Sequence, residues 1–402
     1  MKKILFFIFG AGAISCSQIG RPDTSNFSEE QIEQLDLPNT QMLHITDTDR
    51  VTLDFNPFLC EKEISISKLI DSIQLIPLET NEESLIAGID KLICTAQFYF
   101  VLDADIGGNV LIFNHKGEFV KKIPTGGGPK EIYNPGDIAV DEEQKQLLVY
   151  NRKGISFYTY QGKFLKREIL PFNFKNFRII PGGYLFVVVR NQNNHLKQYS
   201  DMQVFITDKK FRIVSAGFPF HYSKEINWGV TDYTSSWLDN TYFSFKFTHL
   251  IYQYVDTANV RVKYQLDFLN KAIPNRCLQM NMNELFDVLE GTDYYYFMGQ
   301  YVENETHECF VLHNNHNRSS FKTFIFRNKE TKQLIGGNKI ILNDTIPFFG
   351  HPIASYEDKF IGVVNSESVF NFLKENNNKR KYSKLEQLDE DANPILAIYK
   401  LK

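Results

Sequence analysis

The feature that most limits what this chain can fold into is a four-strand phrase that recurs along it. After Pro135 the sequence reads GDIAVD, a turn EEQK, QLLVYN, a short loop, GISFYTY, a turn QGK, and FLKREIL. Each run is short, apolar or alternating, and rich in the β-branched and aromatic side chains that fit a pleated surface. The preceding stretch has the same plan in GIDKLICT, FYFVLDA, NVLIFNH and EFVKKIP. The third strand and its turn nearly coincide as text, IFNHKGEFVKKI at 112–123 against FYTYQGKFLKREI at 157–169. Gly117 and Gly162 fall at the same turn position, where a tight hairpin calls for φ > 0.

The phrase continues with drift. A third unit runs FRIIPGG, YLFVVVR, MQVFITD and KKFRIVSAG; a fourth runs TSSWLDN, TYFSFKF, LIYQYVD and NVRVKYQL. A fifth holds YYYFMGQYVEN, ECFVLHN, FKTFIFRN and a strand near Gln333–Ile341. The sixth offers HPIASYED, KFIGVVN, a helical insertion from about Val369 to Leu388, and NPILAIYKLK, and so lacks one strand. The unassigned run IQLIPLE at 73–79 supplies it. The second strands end at Asp103, Asn151, Arg190, Lys246, His313 and Asn365, steps of 48, 39, 56, 67 and 52 residues, which are blade-sized with loop insertions. The expectation is an all-β, six-bladed β-propeller of four-stranded antiparallel blades, closed by an N-terminal strand that completes the last blade and protects its edge. A β-sandwich of the same strands explains neither the repeated grammar nor the missing strand at the opposite end.

Composition agrees: Phe 35, Tyr 20 and Trp 2 favour strands, and 43% hydrophobic with 23% charged residues excludes a polytopic membrane protein and a wholly disordered chain. A net charge of −4 gives no reason to expect nucleic acid as a partner.

Residues 1–16, MKKILFFIFGAGAISC, read as an address. The apolar stretch Ile4–Ile14 has 11 residues, short of the ~20 that span a bilayer, and follows two lysines as an export signal does. Ala13-Ile14-Ser15 before Cys16 resembles a bacterial lipobox, whose cysteine carries lipid and begins the mature chain. No acidic cluster follows Cys16, which leans toward the periplasmic side. From Ser17 to about Arg50 the chain is polar, with Pro22, Pro38 and a short helix at Glu29–Leu35. The expected layout is a lipoprotein signal peptide at 1–15, a flexible tether at 16–50 and the propeller at 51–402. Of the other cysteines, Cys60, Cys94, Cys277 and Cys309, none forms a CxxC pair, and buried free thiols are expected.

The connector PTGGGPKEIYNPGDIAVD at 124–141 resembles the glycine-rich linker of NHL-type repeats. With the lipobox, the IPLET start and the NPILAIYKLK ending, the chain is similar to the six-bladed, NHL/TolB-like propeller lipoproteins of Bacteroidetes. That resemblance implies the fold and a lipid anchor in the outer membrane, facing the periplasm or the cell surface. It implies little about chemistry.

No familiar catalytic motif stands out. Gly126-Gly127-Gly128 lacks the GK[ST] and helix of a phosphate loop, Ser65-x-x-Lys68 lacks its SDN and KTG companions, and GxSxG, HExxH and EF-hand loops are missing. His307, His313 and His316 crowd one strand and loop, but alternation sends Glu308 and Cys309 to opposite faces, so a polar loop is expected there rather than a metal site. In a propeller the loop after each second strand and the connector before each first strand surround one mouth of the central channel. That register gathers Asp103, Arg152, Arg190, Lys246, His313, Trp228, Tyr233 and His351 as candidate ligand-binding residues. Cations, amides and aromatics suit an acidic sugar or a peptide. The expectation is a non-catalytic ligand-binding or scaffolding module, with a carbohydrate, peptide or envelope protein as partner and no cofactor or metal. A channel enzyme of the metal-dependent lactonase or lyase type is the alternative, weakened because Asp103 and Asp105 are the rim's only carboxylates.

Overall fold

Strands of four to nine residues joined by tight turns build six antiparallel sheets in the computed structural model, which describes residues 27–151, 154–188, 190–220, 234–316, 321–343, 347–375, 385 and 388–402. Blade 1 is Lys91–Cys94, Phe98–Asp103, Asn109–Asn114 and Phe119–Lys122; blade 2 is Asp137–Asp141, Gln146–Asn151, Gly154–Thr159 and Phe164–Glu168. Blade 3 is Phe174–Ile180, Gly183–Val188, Met202–Asp208 and Ile213–Pro219; blade 4 is Thr234–Trp237, Asn240–Phe243, Leu250–Tyr254 and Asn259–Asp267. Blade 5 is Tyr295–Glu303, His307–Asn314, Phe321–Asn328 and Leu334–Gly337. Blade 6 takes Pro352–Tyr356, Lys359–Val364 and Ile395–Leu401 from the end of the chain and Ile70–Pro77 from its beginning. The chain is a six-bladed β-propeller. Gly117 and Gly162 hold φ of 84° and 75° in their hairpin turns, as the repeated text requires. No described helix is long and apolar enough to cross a membrane.

Because each sheet is apolar on both faces, it must be covered on both, and the ring solves this with seams between neighbours. Tyr158 and Ile138 of blade 2 meet Phe100 and Ile112 of blade 1; Phe157 of blade 2 meets Phe177 and Phe186 of blade 3. The circuit continues through blades 3 and 4, 4 and 5, and 5 and 6. It closes where Ile76, Ile361 and Leu396 of blade 6 pack on Leu92, Val101 and Leu111 of blade 1.

The expected tether at 16–50 is corrected from Phe27 onward. Residues 27–69 wrap the outside of the ring as a strap. Gln41–Met42 adds in parallel to the outer strand of blade 3, His44–Thr46 and Val51–Asp54 to that of blade 4, and Glu63–Ser65 pairs with Lys339–Ile341 beyond blade 5. Apolar anchors drop into successive seams: Leu35 between blades 2 and 3, Leu43 between 3 and 4, Leu53 and Phe55 between 4 and 5, and Ile64 and Ile66 between 5 and 6. The strap's strands are two to four residues long, too short to display a period. The helix Glu29–Glu33 that opens it is capped by Ser28 and Gln31 in a reciprocal box. Residues 1–26, and with them Cys16, lie outside the described residues.

Candidate ligand-binding channel

The first strand of every blade faces the ring's axis, and together they wall a central cavity of about 1730 Å³. The inner strands are tied sideways by charge. Lys91 of blade 1 donates to Asp137 Oδ1 of blade 2 at 2.5 Å; Asp137 Oδ2 accepts from the Phe177 amide at 2.8 Å; Arg178 of blade 3 lies 3.8 Å from Asp137 and donates to the Thr234 carbonyl of blade 4 at 2.7 Å. Buried ion pairs of this kind are spent on geometry more than on net stability.

The two mouths differ. At the turns between first and second strands the wall carries Asp141, Glu142 and Glu143 of blade 2, Asp239 of blade 4, Glu305 of blade 5 and Glu357 of blade 6. The other end, where the connectors enter, holds a basic patch on blades 5 and 6. There the inner strand Tyr295–Glu303 bulges between Phe297 and Tyr301, with Gly299 at φ 97°, and delivers Gln300 to the wall. Gln300 Oε1 accepts from His313 Nε2 at 2.6 Å. His313 stacks on Tyr296, with ring centroids 5.6 Å apart. His351, also in the wall, stacks on Phe324 at 5.7 Å. Lys322, also in the wall, stands directly opposite His313 in register.

The Lys322 side chain makes no hydrogen bond or ion pair among the described residues. Burial lowers its proton affinity. Burial, then Lys322, then His351 hold His313 down to about 4, and burial followed by Lys322 holds His351 at about 4. Near neutral pH the patch is therefore one ammonium flanked by two neutral imidazoles. An ammonium without a carboxylate beside it in a partly buried patch favours an anion that pairs with it.

The structure distributes the other expected site residues. Asp103 is buried, and its carboxylate accepts from the Ala87 amide at 2.7 Å and the Gly107 amide at 2.8 Å, which makes it a loop anchor. Arg190 follows the second strand of blade 3, with Nε and Nη1 buried and without hydrogen-bond partners among the described residues, and is not a wall residue. Lys246 is half-buried after the second strand of blade 4 and is likewise not a wall residue. Arg152, Trp228 and Tyr233 lie outside the described residues. Of the expected set, His351 lines the wall, and His313 reaches it only through its partners Gln300 and Lys322.

Lys322 and Gln300 lie outside the loop register that gathers the expected residues, because both sit inside strands. A signal was present in FKTFIF: alternation places Lys322 on the same face as Phe324 and Phe326, an odd position for a solvated lysine. The histidine cluster separates. His307 is held by Thr306 and Asn328, Glu308 enters a buried network with Arg327, Tyr264 and Tyr301, and Cys309 joins the seam between blades 5 and 6. No group of three or more metal-ligating side chains occurs among the described residues. Cys277 and Cys309 are buried free thiols, Cys60 is exposed, and Cys94 is half-buried, its thiol pushed up to about 12 by burial and then by Glu142 and Glu357.

The chain belongs to the DUF4934 family, described as a domain of unknown function, which it matches over residues 51–400. Its fold is similar to that of a "Putative exported protein" of Bacteroides fragilis NCTC 9343, with a TM-score of 0.69 and 19% identity over 89% of this chain and 100% of that one. U3-55K aligns at a TM-score of 0.41, with 11% identity over 82% of this chain and 98% of that one. A protein of unknown function from Bacteroides caccae aligns at 0.28, with 14% identity over 63% and 96%. At 19% identity the likeness to the B. fragilis protein concerns the fold alone. No curated protein matches the sequence.

Proposed function

We propose that this member of the DUF4934 family is a non-catalytic binding module of the cell envelope, whose channel takes a carboxylate-bearing ligand, an acidic sugar or a peptide, at its Lys322 end. The observation that carries the reading is the ammonium of Lys322, set in the wall without a counter-ion among the described residues. The acidic opposite mouth repels the same ligand and so directs entry to the connector side. Phe324 supports the His351 imidazole that would border the ligand, and Tyr296 supports His313, which holds Gln300 in the wall. The envelope address rests on the signal-like start and the lipobox-like Ala13-Ile14-Ser15-Cys16, through which lipid on Cys16 would hold the chain to the outer membrane. It is in keeping with the export named for the B. fragilis protein of the same fold.

The test is a calorimetric panel of galacturonate oligomers, neutral malto-oligosaccharides, and acidic and neutral peptides. Acidic members should bind with affinities that fall as salt rises, and neutral ones should not. Equal binding of acidic and neutral members would overturn the reading.

A further inference from the structure

We propose that the Lys322 site takes up a proton with its ligand: His313 and His351 are neutral bases beside Lys322 that become cations when an anion arrives, so the site selects ligands carrying two or more negative charges. This deepens the anionic-ligand reading above and rests on it.

The geometry brings three basic groups to one patch. His313 and Lys322 are directly opposed on the second and third strands of blade 5, and opposed residues of an antiparallel pair are neighbours on one face. Two residues on, Phe324 shares the face of Lys322, and its ring lies against His351 from the connector into blade 6. The elements packed around the patch contribute Gln300 from the blade 5 bulge, Tyr296 from the same inner strand, and Phe349 against Phe324. None is a carboxylate. The acids of the connector end sit on other blades and are engaged there: Asp90 accepts from the Ala104 and Asp105 amides, Asp105 is held up by burial and by Asp90, and Asp137 pairs with Lys91.

Three neighbouring basic groups in a partly dry site, of which Lys322 and His351 line the wall, cannot all be charged, so the imidazoles yield to the ammonium. His313 spends Nε2–H on Gln300, which leaves Nδ1 to take a proton, and the His351 ring has no hydrogen bond among the described residues. An anion beside Lys322 reverses the local field and pulls both proton affinities up from about 4. By linkage, a ligand that raises a group's proton affinity binds more tightly as pH falls toward that affinity. A monoanion is already matched by Lys322 alone; a second negative charge is what the protonated imidazoles reward.

The experiment is calorimetry of the wild-type chain with the galacturonate trimer, whose carboxylates stay ionised above about pH 5, in buffers of different ionisation heat at one pH near 6. The expected result is an observed heat that changes with the buffer's ionisation heat, reporting net proton uptake, and an affinity that rises about tenfold from pH 7 to pH 5. The digalacturonate should outbind galacturonate by more at pH 5 than at pH 7. His351→Gln and His313→Gln should each reduce the uptake while binding persists. Buffer-independent heats with a flat affinity, in a protein whose binding is still lost in Lys322→Met, would overturn the proton coupling and leave the anionic reading standing. Failure of the wild type to bind any galacturonate oligomer or inorganic phosphate would overturn both.

Discussion

Ile76 lies opposite Leu396 in the antiparallel pair that joins the two ends of the chain into blade 6. The hold is reinforced by Asn393, whose side-chain amide donates to the carbonyls of Glu79 and Ser84 and whose Oδ1 accepts from the Ile86 amide. Gly117 of blade 1 abuts the Pro77 carbonyl so closely that a Cβ there would collide with it. A chain starting at residue 81 should therefore lose its cooperative thermal transition, because it lacks the strand Ile70–Pro77 and exposes an unpaired edge. An unchanged transition in that truncation would mean the ring is held some other way.

The strap makes a separate prediction. A chain starting at residue 27 should match the full chain in denaturant midpoint, and one starting at residue 51 should not, since it loses the seam anchors Leu35 and Leu43. Two buried leucines are worth about 3–6 kcal/mol together. The point variant Leu43→Ala should cost about 2–5 kcal/mol by chemical denaturation.

How much of this was legible follows from physics at particular residues. The blades could be read because alternation, hairpin glycines such as Gly117 and a text-level repeat all point to one answer. The closing strand could be found because a missing partner for Ile395–Leu401 had to exist somewhere, although its observed span, Ile70–Pro77, begins three residues before the expected 73. The strap could not, because it is stabilised by single apolar anchors roughly a blade apart rather than by any local period. At the site, His313 and His351 followed from loop register, but Lys322 depends on which seam a strand face meets, and Gln300 on a bulge that pure alternation does not announce.

Glu308 gives a pH-dependent prediction. Burial alone would raise its carboxyl, but Lys263 at 3.3 Å and hydrogen bonds from Tyr264, Arg327 and Tyr301 outweigh burial and hold it below the usual carboxylate range. A carboxyl depressed in the folded state stabilises above its unfolded value and loses that contribution as pH falls through the folded one. Glu308→Gln should thus cost about 3–5 kcal/mol near pH 7, and the deficit against wild type should shrink below about pH 4. A deficit independent of pH would show that packing, not charge, is what Glu308 supplies.

Anchoring is tested at Cys16. Cys16→Ser should abolish acyl labelling and move the protein from the membrane fraction to the soluble one. Labelling and fractionation unchanged by the substitution would remove the lipid anchor from the account.

In the proposed function the Lys322 ammonium, which has no counter-ion among the described residues, binds the ligand. The direct measurement is the dissociation constant of the galacturonate trimer for wild type and for Lys322→Met, with Arg190→Met as the matched loss of a cation outside the wall. A charge-assisted contact of about 1.5–3 kcal/mol predicts a weakening of roughly 10- to 150-fold in Lys322→Met and an unchanged constant in Arg190→Met. Equal affinity of wild type and Lys322→Met, or a loss confined to Arg190→Met, would contradict it.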